Sequence, residues 1–242
     1  YNRSVAFAVS VGKVRMCIGN RGYYKMYKTV VLDLDGTLLN TLTDLADAGN
    51  RLCRKYGWPT HERQAYRYFV GNGIPKLVER LAPTDQRTPA VLEAALADFK
   101  RDYGQHLRDT TAPYPGISEM LAKLKANGVQ LAVFSNKADA LAKEVVKDYF
   151  GTQYFTIVRG QMTGVAPKPA AEGTNALLQA LHADPASTLY VGDSNVDVET
   201  AHNANLPCCG AVWGFRTREE LNAAGAEYLA ENSDELYDVI MK

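Results

Sequence analysis

The order of predicted elements specifies an α/β fold: a parallel sheet covered by helices on both faces, with a helical segment inserted after the first strand. Three observations carry this reading. Short apolar runs rich in β-branched residues recur along the chain, separated by segments with apolar residues at helical spacing, the alternation that builds parallel sheets. One stretch, from about Leu42 to Thr111, interrupts the alternation with helical patterns alone. And pairs of polar residues suited to chemistry fall at the carboxyl ends of the apolar runs, where open parallel sheets bind ligands.

The predicted strands are Thr29–Leu34, Gln130–Ser135, Phe155–Val158, Thr188–Val191 and Cys208–Val212. The predicted core helices are Ile117–Asn127, Ala138–Asp148, Ala171–His182 and Asp197–Asn205, several ending at stop signals such as Asn127-Gly128 and Asn205 before Pro207. The inserted segment reads as four amphipathic helices, Leu42–Tyr56, Glu62–Phe69, Ile74–Leu81 and Pro89–Leu107. Turns at Gly57-Trp58-Pro59, Gly71-Asn72-Gly73 and Ala82-Pro83 separate them, and Pro113 and Pro115-Gly116 mark the return to the sheet. The expected organisation is therefore a core of residues 26–41 and 112–242 around a helical domain of residues 42–111. Residues 1–25 hold Arg3, Lys13, Arg15, Arg21 and Lys25 and no acid, and read as a leader, poorly ordered, before a native start at Met26. Without them the chain carries 22 basic against 27 acidic residues, a net charge of −5.

Composition narrows the function. Hydrophobic residues make up 46% and charged residues 22% of the 242, and the formal net charge is +0. That balance gives no reason to expect a nucleic acid or a charged membrane surface as partner. No apolar stretch reaches membrane-spanning length. Cys17, Cys53, Cys208 and Cys209 have neither zinc-site nor CxxC spacing, so small buried side chains in a reducing cytoplasm are expected. His61, His106, His182 and His202 lie outside every motif and read as surface or capping residues.

The most informative residues are Asp33-Leu34-Asp35-Gly36-Thr37, directly after the apolar run Thr29–Leu32. Residues two apart on an extended chain share a face, so the two carboxylates can meet in one crevice. There they repel unless a cation or a shared proton relieves them. Mg²⁺, which takes carboxylate and carbonyl oxygens, is the natural partner. Gly36 permits a sharp turn, and Thr37 brings a hydroxyl and a backbone N–H.

The string VVLDLDGTLLNT resembles motif I of the haloacid dehalogenase (HAD) superfamily. Three further segments match that superfamily's remaining motifs in order. Ala132-Val133-Phe134-Ser135-Asn136 resembles motif II, Pro167-Lys168-Pro169 motif III, and Val191-Gly192-Asp193-Ser194-Asn195-Val196-Asp197 motif IV. The resemblance implies a Rossmann-like parallel core with an inserted C1 cap, and Mg²⁺-dependent hydrolysis of a small phosphomonoester. It makes Asp33 the nucleophile that forms an aspartyl-phosphate and Asp35 the general acid–base. The metal is expected on the Asp33 carboxylate, the Asp35 backbone carbonyl and Asp193. Ser135, Asn136 and Lys168, with Gly36 and Thr37, are expected around the phosphoryl oxygens, and Asp197 and Ser194 just behind them. Within the superfamily, Phe69–Arg80, Pro113-Tyr114-Pro115-Gly116 and Phe134-Ser135-Asn136-Lys137 resemble the phosphoglycolate phosphatase branch. That makes Gly71, Asn72 and Gly73 the loop expected to meet the leaving group, with Arg67, Lys76 and Arg80 as candidate attractors for a substrate carboxylate. A β-phosphoglucomutase-like mutase, a HAD phosphatase of another metabolite and a non-catalytic interaction protein are the competing readings. The expected partner is a small phosphorylated metabolite, and the expected assembly a monomer or homodimer.

Overall fold

The structure, a computed structural model, describes residues 26–242; the expected leader and Cys17 lie outside them. Strand β1 (Thr29–Leu32) leads through a tight turn to β2 (Leu39–Asn40). Four helices follow: α1 (Leu42–Tyr56), α2 (Arg63–Phe69), α3 (Ile74–Leu81) and α4 (Pro89–His106). The chain returns through β3 (Ala112–Pro113) to α5 (Ile117–Ala126), β4 (Gln130–Ala138), α6 (Asp139–Phe150), β5 (Phe155–Gln161) and α7 (Ala171–Leu181). It closes with β6 (Thr188–Gly192), α8 (Asn195–Asn203), β7 (Cys208–Ala211), α9 (Arg218–Ala224), β8 (Tyr228–Ala230) and α10 (Ser233–Met241). The main sheet has the order β5-β4-β1-β6-β7-β8 and every pairing is parallel.

Alternation along the strands explains the two helical layers. Val31, Ala132, Phe134, Tyr190 and Cys208 face Leu177, Leu178 and Leu181 of α7 and Val198 and Ala201 of α8. Val30, Leu32, Leu131, Val133, Leu189, Val191 and Cys209 belong to the opposite cluster, with Leu121 and Leu124 of α5, Val145 and Val146 of α6, and Leu236 and Ile240 of α10. A strand buried on both faces must be apolar at every position, which is why β1 reads as an unbroken TVVL run. Cys53, Cys208 and Cys209 are buried free thiols.

Some boundaries differ from expectation. β1 stops at Leu32 rather than Leu34, because the Leu34 carbonyl turns to accept from the N–H groups of Thr37, Leu38 and Leu39. β4 runs three residues past Ser135. The pair β2–β3, the edge strand β8 and the helices α9 and α10 were not expected; two- and three-residue strands carry too little periodicity to be read.

The helices α1–α4 hold their own apolar contacts through Leu45, Leu52, Tyr66, Leu77, Leu81, Phe99 and Tyr103, all buried. Buried Asp44, near the start of α1, ties the two connections together. Its carboxylate accepts from the backbone N–H and hydroxyl of both Thr110 and Thr111, at 2.5–2.9 Å. Among the described residues, no helix is long and apolar enough to cross a membrane.

Candidate active site

Three adjacent strands deliver the expected chemistry to one place. β1 runs into Asp33 and Asp35, β4 carries Ser135, and β6 ends just before Asp193. Because β1 lies between β4 and β6, these residues meet at the carboxyl edge of the sheet. Lys168, from the loop before α7, reaches Asp33 at 2.8 Å and Asp197 at 2.7 Å and is buried between them. Asp33, Asp193 and Asp197 form a group whose carboxylate oxygens lie within 4.8 Å of one another.

The electrostatics of this group call for a cation. Burial, together with Asp197 and Asp35, pushes the Asp33 carboxyl up to about 7 against the opposing pull of Lys168. Burial, Asp197 and Asp33 likewise hold Asp193 well above the usual carboxylate range. Burial alone would discharge Lys168, but Asp197 and Asp33 outweigh it and the ammonium is held charged. Lys168 Nζ, 2.8 Å from Asp33 Oδ1 and 2.7 Å from Asp197 Oδ1, is one positive charge against three clustered acids. Three clustered buried carboxylates that share a single ammonium fit a divalent metal, a hard ion with oxygen ligands.

Asp193 is fixed from both sides. Its Oδ1 accepts from the Thr37 hydroxyl at 3.2 Å and its Oδ2 from the Phe215 N–H at 2.7 Å. Asp197 has both oxygens committed: Oδ1 to Lys168, Oδ2 to the Ser194 hydroxyl at 2.7 Å and N–H at 3.1 Å. Ser194 and Asp197 thus form the capping box of α8, which leaves Asp197 to orient Lys168.

Four of the expected residues already have partners within the protein. The Gly36 N–H donates to the Leu39 carbonyl at 2.8 Å and the Thr37 N–H to that of Leu34 at 3.3 Å, so the tight turn has used both donors before a phosphate could. Gly36 matters instead for space: at φ +91 it has no Cβ, and one there would lie 2.3 Å from Asp193 Oδ2. At Asn136 the expected donor is the backbone N–H, and the side chain has a separate task. It accepts from the Lys168 N–H at 2.8 Å and donates to the carbonyls of Gly71 and Lys168 at 3.0 and 3.2 Å, joining the sheet edge to the helical segment. Asn72 turns away, its side-chain oxygen accepting from Arg80 at 2.8 Å. Gly71 and Gly73, not Asn72, line the cavity.

That cavity lies between the sheet edge and the helices. Asp33, Asp35, Ser135, Asn136, Lys137 and Lys168 line one side, and Leu45, Val70, Gly71, Gly73, Ile74, Leu77 and Tyr103 the other. The expected carboxylate attractors do not reach it. Arg67 donates to the carbonyls of Gly214 and Phe215 at 2.7 and 2.8 Å, Arg80 holds the Phe69 carbonyl at 2.8 Å, and Lys76 pairs with Glu79 at 2.8 Å. Besides Lys168, the cation that reaches it is Lys137, which the sequence reading quoted in a motif but gave no role. Its buried ammonium lies 3.0 Å from Asp35 and 2.8 Å from the Tyr103 hydroxyl. Its position directly after Ser135-Asn136 was the one signal that could have singled it out.

Comparison with known proteins agrees with this geometry. The family model described as haloacid dehalogenase-like hydrolase matches residues 30–211. A phosphoglycolate phosphatase of Chromobacterium violaceum is 31% identical over 219 residues, covering 89% of this chain and 97% of the relative. A plasmid-borne phosphoglycolate phosphatase of Cupriavidus necator is 32% identical over 208 residues, covering 86% and 90%. A crystal structure from Lactobacillus delbrueckii subsp. bulgaricus, provisionally described as a phosphoglycolate phosphatase, superimposes with a TM-score of 0.84 at 27% identity, covering 89% of this chain and 99% of that one. The chain belongs to the haloacid dehalogenase-like hydrolase family. Within it, the chain is an enzyme of the phosphatase type.

Proposed function

We propose that the chain is a Mg²⁺-dependent phosphomonoesterase that works through an aspartyl-phosphate on a small metabolite, phosphoglycolate being the substrate its relatives' names suggest. The observation that carries the reading is Asp33, a buried carboxylate at the end of the central strand, paired with a fixed ammonium and clustered with two further acids.

Asp33 attacks phosphorus, forming the acyl-phosphate bond as the ester oxygen leaves. Asp35 delivers a proton to that oxygen, then takes one back from the water that hydrolyses the intermediate. Lys168 and Ser135 bind phosphoryl oxygens, and Asp197 keeps Lys168 aimed. Asp33, Asp193 and the Asp35 backbone carbonyl would hold Mg²⁺, which supplies charge neutralisation between the nucleophile and the phosphate. Residues 42–111 act as a cap that covers the leaving group, pivoting where Asp44 clasps Thr110 and Thr111.

The test is phosphate release from p-nitrophenyl phosphate and a panel of phosphorylated metabolites, with Mg²⁺ and with EDTA. Turnover that requires Mg²⁺ and disappears in Asp33→Asn is expected. Activity in that variant would reject the covalent route, and isomerisation of a sugar phosphate without net phosphate release would replace the phosphatase reading with a mutase.

A further inference from the structure

Two polar side chains in the cavity remain without a task once the phosphoryl groups are assigned: Tyr103 of α4 and Lys137 of β4. The Lys137 ammonium lies 3.0 and 3.2 Å from the two oxygens of Asp35 and donates to the Tyr103 hydroxyl at 2.8 Å. An ammonium can only donate. The Tyr103 oxygen is therefore the acceptor in that bond, and its own proton finds no acceptor among the described residues. The phenol is fully buried, and burial pushes it up to about 12, so the proton stays on at neutral pH. A buried O–H donor without a partner is costly unless something arrives to accept from it.

The two lysines of the site make an instructive pair. Lys168 is shared between two carboxylates, Asp33 and Asp197. Lys137 has one carboxylate, Asp35, and a neutral hydroxyl where the second would be. An anion accepting from Tyr103 O–H would give Lys137 the two-carboxylate setting that Lys168 already has. The place is right for a leaving group, since Asp35 is the acid that meets the leaving oxygen. The rest of that wall is Leu45, Val70, Gly71, Gly73, Ile74 and Leu77, whose side chains offer a sugar hydroxyl nothing to bond.

We propose that Tyr103 and Lys137 form a subsite for a carboxylate on the leaving group, so that the preferred substrates are short O-phospho carboxylates. The inference rests on the phosphatase reading above and assigns the specificity of the same site to two residues. One donor comes from each side of the cavity, so the subsite is complete only when α4 lies against the sheet edge.

The test compares the full chain with Mg²⁺ on phosphoglycolate and on 2-hydroxyethyl phosphate, in which a neutral hydroxymethyl replaces the carboxylate. A charge-assisted bond between buried groups predicts a preference in kcat/KM of roughly 10- to 100-fold for the carboxylate. Tyr103→Phe and Lys137→Met should each pull that ratio toward one. A wild-type ratio near one, or a ratio that neither variant changes, overturns the subsite. The wild-type ratio needs no variant, so misfolding of Lys137→Met leaves the proposal exposed to refutation. Magnesium-dependent turnover of p-nitrophenyl phosphate without preference for the carboxylate would refute the subsite alone. Absence of turnover on all three esters would refute the phosphatase reading and the subsite with it.

Discussion

Asp33 and Asp193 stand just beyond the ends of β1 and β6, and Ser135 stands within neighbouring β4, held by a sheet whose central strands β1 and β6 are wholly buried. Gly71, Gly73, Ile74, Leu77 and Tyr103, on the other side of the same cavity, come from helices and a glycine turn. These meet the sheet through a few long-range bonds: Asn136 to Gly71, Lys137 to Tyr103, Arg67 to Gly214 and Phe215. One wall is positioned by a continuous hydrogen-bonded ladder, the other by helix packing and a few side-chain bonds to the sheet edge. The first suits a task identical for every phosphoester, and the second suits recognition of what the phosphate is attached to.

If that division is right, variants of the sheet wall depress all substrates alike. Asp33→Asn should remove at least ~10⁴-fold in kcat on phosphoglycolate and p-nitrophenyl phosphate together, the scale expected for a nucleophile. Steady-state kinetics on both esters check this, and a loss confined to one would break the comparison. Asp35→Asn should cost ~10²–10⁴-fold. The cost should be larger on phosphoglycolate, because p-nitrophenolate leaves with little need of a proton, and a pH–rate profile with pre-steady-state phosphate release separates the two half-reactions.

Lys168→Met should act on stability. Removing the shared ammonium leaves Asp33 and Asp197 buried without their partner, and breaking such a pair costs about 3–5 kcal/mol. Denaturant unfolding without metal checks it, and Mg²⁺ should recover part of the loss.

The raised Asp33 carboxyl gives a pH dependence with a definite sign. The folded protein holds that proton more tightly than the unfolded chain, whose aspartates ionise near ~3.9. The group's contribution to stability is therefore fully present below that value and is lost as pH rises toward about 7. Protons and Mg²⁺ compete for the same oxygens, so the rise in Tm caused by Mg²⁺ should be greater at pH 8 than at pH 5. Equal shifts at both would remove Asp33 from the metal site.

The smallest effect is expected at Asn72→Ala. Its side chain bonds Arg80 and does not line the cavity, so kcat/KM should change only a few-fold, within ~1 kcal/mol, the net worth of a typical hydrogen bond. A selective loss on phosphoglycolate would return Asn72 to the leaving group and move the recognition surface onto the turn.

The alternation of the core elements, the helical run of residues 42–111 and the positions of Asp33, Asp35, Ser135, Lys168, Asp193 and Asp197 were all legible in the order of residues. Strand ends bring their residues together whenever the strands are neighbours, so a local pattern suffices to locate them. Contacts that depend on orientation were not legible. Arg67, Lys76 and Arg80 looked like free cations until backbone carbonyls and Glu79 claimed them. The N–H groups of Gly36 and Thr37 looked available until the turn from Leu34 to Leu39 used them. Lys137 and Tyr103, 34 residues apart, share no periodicity or motif that would pair them. Local sequence determined which chemistry the sheet edge presents. Tertiary packing alone decided which donors remain for a leaving group, because whether a polar group is spent depends on partners that only the folded chain brings within reach.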